Sequence, residues 1–150
     1  MLDELTRTII ELRLGKAEKC LKASELLLNA ESYADSVNRS YYCIYHAMHA
    51  VLTTIGFSSS KHSGNISEFR RVFVKTGVFA DTYSDIVGSA FKVRTKSDYD
   101  IHYVVSKSEV ITQLESARDF LSAVEVYIDT LSAKLEKEGE QAPNTEGDCQ

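Results

Sequence analysis

The chain has 150 residues, 43% of them hydrophobic, and carries 17 Lys plus Arg against 22 Asp plus Glu, for a net charge of −5. This composition predicts one globular domain, and because no apolar run reaches about 18 residues we expect no membrane-spanning segment. The first residues mix acidic with apolar side chains, unlike a signal peptide, and the three cysteines are too few and too irregularly spaced for a disulfide framework, so we expect a cytoplasmic protein.

Two long amphipathic helices are predicted in the first third of the chain. Apolar side chains recur at steps of three and four from Ile10 to Leu28, and again from Ala34 to Ile55. This spacing places them on one face of each helix. The second pattern ends at Gly56, and glycine favours the backbone conformation that follows a helix C-terminus.

The second predicted helix carries a polar stripe as well as an apolar one. At 100° per residue, five polar and aromatic side chains fall within about 80° on the face opposite the apolar stripe. They are Asp35, Arg39, Tyr42, His46 and His49. Such a face meets either solvent or a partner, and aromatic rings beside an arginine favour a partner. The alternative is that the rings only cover the edge of a bundle.

The middle of the chain is basic and contains two shorter predicted helices. They cover about residues 64–75 and 81–96, with Asp81 as the N-cap of the second. From Lys61 to Lys96 there are seven basic and three acidic side chains, so this segment has a net charge of +4. The negative total therefore does not exclude an anionic ligand here. The alternative is a solvated helix face of mixed charge.

The last predicted helix is the longest. Its apolar stripe continues to Leu135, and Ser106 followed by Glu109 predicts a capping box at its start. The helical domain is therefore predicted to cover residues 1–135. The segment 136–150 is acidic, poor in apolar residues and contains the single proline, so we predict a disordered tail. Long amphipathic helices without an alternating strand pattern predict an all-α fold, an antiparallel up-and-down bundle of four to five helices.

Four blocks of the sequence together resemble the small prokaryotic HEPN proteins (higher eukaryotes and prokaryotes nucleotide-binding). The block Asn-Arg-Ser-Tyr-Tyr-Cys-Ile-Tyr-His-Ala at 38–47 resembles the signature of their second helix. Segments 16–27, 61–64 and 94–100 resemble their first helix, their loop and the segment before their last helix. The blocks occur in the family's order, which makes the combination more specific than any single block.

The resemblance implies a helical bundle that forms a homodimer and works beside a nucleotidyltransferase encoded by an adjacent gene, often as a toxin–antitoxin pair. Active members of the family are metal-independent ribonucleases, in which an Arg, four to six residues and a His from each subunit meet at the dimer cleft. Other members lack the activity and serve as binding modules. The resemblance thus implies RNA or a nucleotide as ligand, without a metal or another cofactor.

Two pairs of Arg and His come near this signature. Arg39 and His46 have six residues between them but lie on the second helix, whereas active relatives carry the pair before the last helix. At that place, Arg94 and His102 have seven residues between them, one more than the signature allows. His102 can serve only if the backbone between the two helices is irregular.

The chemistry of RNA cleavage shows why this departure matters. Cleavage without a metal needs a base and an acid with pKa values near neutrality, which suits histidine, and an arginine to stabilise the charge on phosphate. Asp98 or Tyr99 stands where active relatives have the histidine. An ionised aspartate repels phosphate unless burial keeps it protonated, and a tyrosine is a poor base near pH 7. The departure favours a binding module over a nuclease.

We predict a cleft formed by these candidates. The catalytic candidates are Arg94, His102, Arg39 and His46. The binding candidates are Asp98, Tyr99, Tyr42, Lys61 and His62, and no metal site is predicted. Alternatively, Arg94 and Asp98 form only an i,i+4 ion pair, and Arg39 and His46 belong to a structural hydrogen-bond network. Three functions stay open: a module acting with a nucleotidyltransferase, a ribonuclease toxin, and a plain helical interaction protein.

Overall fold

The computed structural model describes residues 2–141, which form five α-helices and one π-helical turn. The helices are α1 (Glu4–Asn29), α2 (Tyr33–Thr53), α3 (His62–Phe69), α4 (Asp81–Tyr99) and α5 (Lys107–Glu140), and the π-helical turn Arg70–Val74 follows α3 directly. These residues contain no strand, so the predicted all-α bundle is confirmed. Across the same stretch, no helix is both long and apolar enough to cross a membrane.

Helix α2 lies at the centre of the bundle and contacts all four other helices. Its apolar stripe forms the middle of the core, where Ile44, Met48 and Leu52 are at most 1% exposed. These side chains share the main core with Phe69, at the end of α3, and Phe120 of α5. Because helices surround α2, side chains on its other faces are covered as well.

The polar stripe of α2 meets other helices of the same chain rather than solvent. His49 is only 4% exposed, while Arg39, Tyr42 and His46 are half-buried and Asp35 alone of the five is exposed. Helices α1, α3 and α4 flank this face and supply its polar contacts. A periodic pattern gives the direction of each side chain around one helix, but not the number of helices packed around it.

Three small side chains let α1 and α2 approach each other closely. Ser24 of α1 faces Ser36 and Ser40 of α2, and all three are fully buried. The Ser24 hydroxyl donates to the Ser36 carbonyl at 2.9 Å, and the Ser36 hydroxyl donates to the Ser24 carbonyl at 2.8 Å. These reciprocal bonds satisfy buried polar groups and fix the register of α2 against α1.

The basic middle segment forms helices close to those predicted, with shifted boundaries. The helix expected over 64–75 is α3 together with the π-helical turn, and Gly77 with a φ of +80° follows it. Ala80, not Asp81, is the N-cap of α4, so that assignment was wrong. Asp81 instead lies in the first turn, where a carboxylate also stabilises the positive end of the helix dipole. Helix α4 then extends to Tyr99, beyond its predicted end.

Helix α5 has the predicted start but runs past the predicted domain boundary. The Ser106 hydroxyl accepts from the Glu109 N–H at 3.2 Å, and the Glu109 carboxylate accepts from the Ser106 N–H at 3.1 Å, which confirms the capping box. The helix continues to Glu140, past the boundary placed after residue 135, because glutamate and lysine favour helix even without apolar contacts. Most of the predicted disordered tail, at 142–150, lies outside the described residues.

Candidate functional site

Four rings from α2 and α3 pack against one another and are termed the aromatic cluster: Tyr41, Tyr42, Tyr45 and His62. The His62 ring stacks on Tyr45 with 4.2 Å between centroids and lies nearly parallel to Tyr41 at 5.7 Å. The Tyr41 hydroxyl and His62 Nδ1 are 2.5 Å apart, a short hydrogen bond. The candidate His62, predicted in a loop, is therefore the first residue of α3 and reaches across to α2.

Arg94 of α4 lies against this cluster. Its side chain is 14% exposed, and its guanidinium carbon lies 5.3 Å from the centroid of the Tyr41 ring and 5.5 Å from that of Tyr42. One Nη donates to the Tyr42 hydroxyl at 3.3 Å, and Nε lies 2.9 Å from a carboxylate oxygen of Asp98. The i,i+4 ion pair considered as an alternative thus exists, and it lies inside a half-buried aromatic environment.

Asn38 links the second candidate arginine to the same network. Its amide nitrogen donates to Asp98 at 3.1 Å. Its amide oxygen accepts from Arg39 Nε at 3.1 Å and from an Arg39 Nη at 2.7 Å. The Arg39 guanidinium carbon also lies 5.1 Å from the centroid of the Tyr42 ring. The candidates Arg39, Tyr42, Arg94 and Asp98 are therefore brought together, although sequence reasoning did not single out the asparagine that connects them.

The candidate histidines of the two Arg–His pairs do not join their arginines. Nδ1 of His46 lies 3.5 Å from Nη1 of Arg13, on α1. The side chain of His102 is on the exposed turn between α4 and α5, where its backbone N–H donates to Asp100. Among residues 2–141, no hydrogen bond connects either histidine to Arg39 or Arg94. The histidine that shares a neighbour with Arg94 is instead His62, because both side chains pack against the Tyr41 ring.

Buried Asn65 holds the loop that presents His62. Its amide oxygen accepts from the Ser59 N–H at 3.1 Å, and its amide nitrogen donates to the Ser59 carbonyl at 3.0 Å. The same nitrogen lies 3.0 Å from Nε2 of His49 and 3.1 Å from the Tyr45 hydroxyl. The start of α3 is thereby fixed against α2. Lys61 is the exposed N-cap residue of α3, next to this loop.

The histidines on and next to α2 are neutral at pH 7. Burial, and then the nearby charge of Arg13, lowers the pKa of His46 to about 4 and that of His49 to about 4. Burial, followed by the charge of Arg94, lowers the pKa of His62 as well. Burial also raises the pKa of the Tyr41 hydroxyl above its ordinary value. Positive charge at the site therefore comes from the arginines.

The arrangement combines two guanidinium groups, one carboxylate and several aromatic faces. A planar guanidinium donates paired hydrogen bonds to phosphate, and aromatic rings stack on the bases of single-stranded nucleic acids. Tyr99 extends the site toward solvent, since its ring is 72% exposed and lies 5.7 Å from the Arg94 guanidinium carbon. Within the described part of the chain, no group of three or more His, Cys, Asp or Glu side chains is placed to hold a metal ion.

Comparison with known proteins places this chain in a family. Residues 10–127 match the model of the HEPN domain. Two similar proteins from Methanocaldococcus jannaschii are named as putative toxins. Putative toxin MJ0142 is 33% identical, and the match covers 79% of this chain and 81% of the relative. Putative toxin MJ0605 is 28% identical, and the match covers 91% of this chain and 96% of the relative. A UPF0332 protein from Thermotoga maritima is 35% identical, with 82% of this chain and 93% of the relative covered.

Proposed function

This chain belongs to the HEPN family, and on that premise we propose that it is a toxin-like module that binds RNA or a nucleotide and acts with a nucleotidyltransferase encoded by the adjacent gene. The observation that carries the proposal is the environment of Arg94. Its guanidinium is half-buried among tyrosine rings and shares a polar network with Arg39. The names of the two toxin relatives support a role in a two-protein pair.

The charge balance of the site favours an anionic ligand. Two arginines face one carboxylate, Asp98, and the three neighbouring histidines are neutral. Burying a cation costs free energy unless hydrogen bonds or an opposite charge compensate for it. A phosphate group that accepts from Arg94 and Arg39 completes this compensation, while a base can stack on the partly exposed rings of Tyr42 or Tyr45.

A second copy of the chain is proposed to cover the surface next to this site. The connection between α4 and α5 exposes two large apolar side chains, with Ile101 91% and Val104 85% exposed, beside the exposed ring of Tyr99. Apolar groups gathered on one exposed segment are typical of an interaction surface. A homodimer formed there brings two copies of the site together and covers His102. We expect sedimentation to show a dimer at micromolar concentration, and a monomer alone contradicts this part of the proposal.

Binding of RNA is the direct test of the site. We expect Arg94→Gln to weaken the binding of a labelled single-stranded RNA, measured by fluorescence anisotropy, by tenfold or more, because a hydrogen bond to a charged group contributes about 1.5–3 kcal/mol. The matched control is Arg118→Gln, since Arg118 is an exposed arginine of α5 that pairs with Glu25. An equal loss in both variants means that only overall charge matters and contradicts the proposed site.

The partner is tested separately from the ligand. We expect the product of a neighbouring nucleotidyltransferase gene to co-purify with this chain when the two are produced together. If no such gene adjoins and no RNA or nucleotide binds, the remaining function is that of a plain helical interaction protein.

A metal-independent ribonuclease is the second candidate, and the position of His62 favours it. This histidine and Arg94 both pack against the Tyr41 ring, and its Nδ1 is engaged by the Tyr41 hydroxyl, which leaves Nε2 for a ligand. The test is incubation of purified protein with single-stranded RNA in EDTA. Cleavage that is lost in both Arg94→Gln and His62→Ala supports this pair of residues.

Other outcomes of the cleavage assay assign the remaining candidates. Cleavage lost in Arg94→Gln and His102→Ala, but kept in His62→Ala, assigns His102 as the histidine. Cleavage lost only in Arg39→Gln and His46→Ala moves the activity to α2. Absence of cleavage in every preparation excludes the ribonuclease and favours the binding module.

A further inference from the structure

A concave site distinct from the aromatic cluster lies between α3 and α4 and is termed the Arg70 pocket. It is a cavity of about 270 Å³. Its lining residues are Ser63, Ile66, Ser67, Arg70, Gly88 and Phe91. The lining thus combines one cation and two hydroxyl groups with an apolar floor, and it contains no acidic side chain.

Arg70 is held in this pocket without an acidic partner. Its Nε donates to the Ser84 hydroxyl at 2.9 Å and one Nη lies 3.4 Å from the Ser84 carbonyl oxygen. The residue is half-buried, and within residues 2–141 it forms no ion pair with a carboxylate. The next residue, Arg71, provides the contrast, because it is exposed and pairs with Glu68 at 2.5 Å. Neutral oxygens position Arg70, and its charge is left uncompensated.

Gly88 makes room for this guanidinium on α4. A Cβ atom built on Gly88 would lie 2.7 Å from Nη2 of Arg70, closer than real side chains approach. Any other residue at this position must therefore displace the end of the arginine side chain. Arg70 also begins the π-helical turn, in which its carbonyl accepts from the Lys75 N–H at 2.9 Å, and such turns are frequent at functional sites.

The pocket adjoins the aromatic cluster. Ser63 follows His62 in the first turn of α3, and the Phe91 ring lies 6.1 Å from the Tyr41 ring. Gly88 and Arg94 are six residues apart on α4, which corresponds to about 9 Å along the helix axis. A single strand that places a base on the cluster can therefore place another part of its backbone at the Arg70 pocket.

We propose that the Arg70 pocket binds a backbone phosphate of the single-stranded RNA whose neighbouring base and phosphate lie at the aromatic cluster and Arg94. This inference rests on the proposed function, for which it names a second contact and the ligand class. The phosphate oxygens accept from the free Nη of Arg70 and from the hydroxyls of Ser63 and Ser67.

The test is RNA affinity as a function of salt. We expect Arg70→Gln to weaken binding about tenfold and to reduce the slope of log affinity against log salt by about 0.7, the value for one phosphate contact on a single strand. Gly88→Ala is expected to weaken binding in the same direction without changing the net charge, because it displaces Arg70. The control is Arg71→Gln, which removes the same charge outside the pocket and leaves affinity within about twofold of wild type.

Two outcomes overturn the inference while the protein still binds RNA. One is an equal loss in Arg71→Gln and Arg70→Gln, which reduces the effect to overall charge. The other is unchanged RNA affinity in Arg70→Gln when Arg94→Gln weakens binding. This result supports RNA binding at Arg94 and contradicts phosphate binding in the Arg70 pocket. Thermal unfolding of each variant establishes that it is folded, and if Gly88→Ala is not, Arg70→Gln alone decides.

A separate readout applies if the wild type binds no RNA, in which case the proposed function fails. Backbone amide NMR shifts are then followed on addition of millimolar inorganic phosphate. Shifts at Ser63 and Ser67 that are present in the wild type and absent in Arg70→Gln support a phosphate site in the pocket. Absence of these shifts in the wild type overturns it.

Discussion

The bundle contains two aromatic regions of similar size and opposite character. Around Phe69, the rings of Phe73, Phe79 and Phe120 lie 5.4–6.0 Å away, and all four side chains are at most 4% exposed. The aromatic cluster of α2 and α3 consists instead of three tyrosines and a histidine and packs against Arg94; Tyr41 is buried, whereas its other three rings remain partly exposed. The phenylalanines around Phe69 remove apolar surface from water. The aromatic cluster instead keeps hydroxyl, imidazole and guanidinium groups available for contact with a ligand.

This contrast separates residues that stabilise the fold from residues that serve its function. Burial of rings without polar atoms contributes directly to the free energy of unfolding. Burial of polar atoms yields little net stability, because each bond inside the protein replaces a bond to water. A cluster that buries an arginine among tyrosines is therefore better explained by a ligand than by stability, and each change below affects one of the two regions.

The greatest change in stability is predicted for the phenylalanine region around Phe69. Phe69→Ala is expected to lower the free energy of unfolding by about 3–5 kcal/mol, because it leaves a cavity in the core, while RNA affinity of the folded protein stays unchanged. Tyr42→Ala is the contrasting variant, with a smaller loss of stability and a loss of RNA affinity that corresponds to one stacked base, about 1–3 kcal/mol. Urea unfolding and anisotropy measure the two quantities. If the two variants change the free energy of unfolding and RNA affinity in the same way, the proposed difference between the two aromatic regions is wrong.

The next effect is the contribution of His49, which borders the aromatic cluster, to the pH dependence of stability; His46, whose pKa is also lowered to about 4, contributes in the same direction. Burial, and then the charge of Arg13, lowers the pKa of His49 to about 4 in the folded protein, against about 6.5 in the unfolded chain. Above pH 6.5 the histidine is neutral in both states and its full contribution to stability is present. As the pH falls from 6.5 to 4, only the unfolded chain takes up the proton, so stability decreases by about 3 kcal/mol.

The geometry gives the reason why the folded protein resists protonation. The amide oxygen of Asn65 accepts from Ser59, so its amide nitrogen faces Nε2 of His49 as a donor, and a proton on Nε2 would set two donors against each other. Urea unfolding between pH 7.5 and 4.5 measures the effect. We expect His49→Gln to show a flatter profile than the wild type, and identical profiles exclude His49 as the source.

The sequence was informative wherever a contact is local along the chain. The helices follow from apolar periodicity, the capping box from Ser106 and Glu109, and the pair of Arg94 with Asp98 from their i,i+4 spacing. Each of these features depends on residues within one or two turns. Local geometry is set by the helix itself and does not depend on the arrangement of the bundle.

The remaining features of the site depend on how the helices pack. The burial of His49 requires α2 to be surrounded by other helices, and the stacking of His62 on Tyr45 requires α3 to lie against α2. Nor does residue spacing reveal that Asn38 bridges Arg39 and Asp98. Such contacts join positions far apart in sequence, and the identities of the residues alone do not specify which helices are neighbours.

The smallest effect we predict is also the most specific to the aromatic cluster. Asp98→Asn keeps an oxygen near Arg94 and the acceptor for Asn38, but it removes the negative charge. If the site binds phosphate, this charge opposes the ligand by an amount near 1 kcal/mol at an effective dielectric constant between those of protein and water. We therefore expect RNA affinity to increase about threefold to fivefold, as measured by anisotropy at low salt.

The control for this variant is Asp100→Asn, because Asp100 is the exposed C-cap residue of α4, and its carboxylate accepts a hydrogen bond only from the His102 N–H among the described residues. Its neutralisation is screened by solvent, so affinity should change less than in Asp98→Asn. Weaker binding in Asp98→Asn would mean that the carboxylate serves chiefly to orient the guanidinium. In that case Arg94 recognises the ligand as part of its ion pair with Asp98 and not as a free cation. The aromatic cluster would then differ from the phenylalanine region in the orientation of the Arg94 guanidinium and not in net charge.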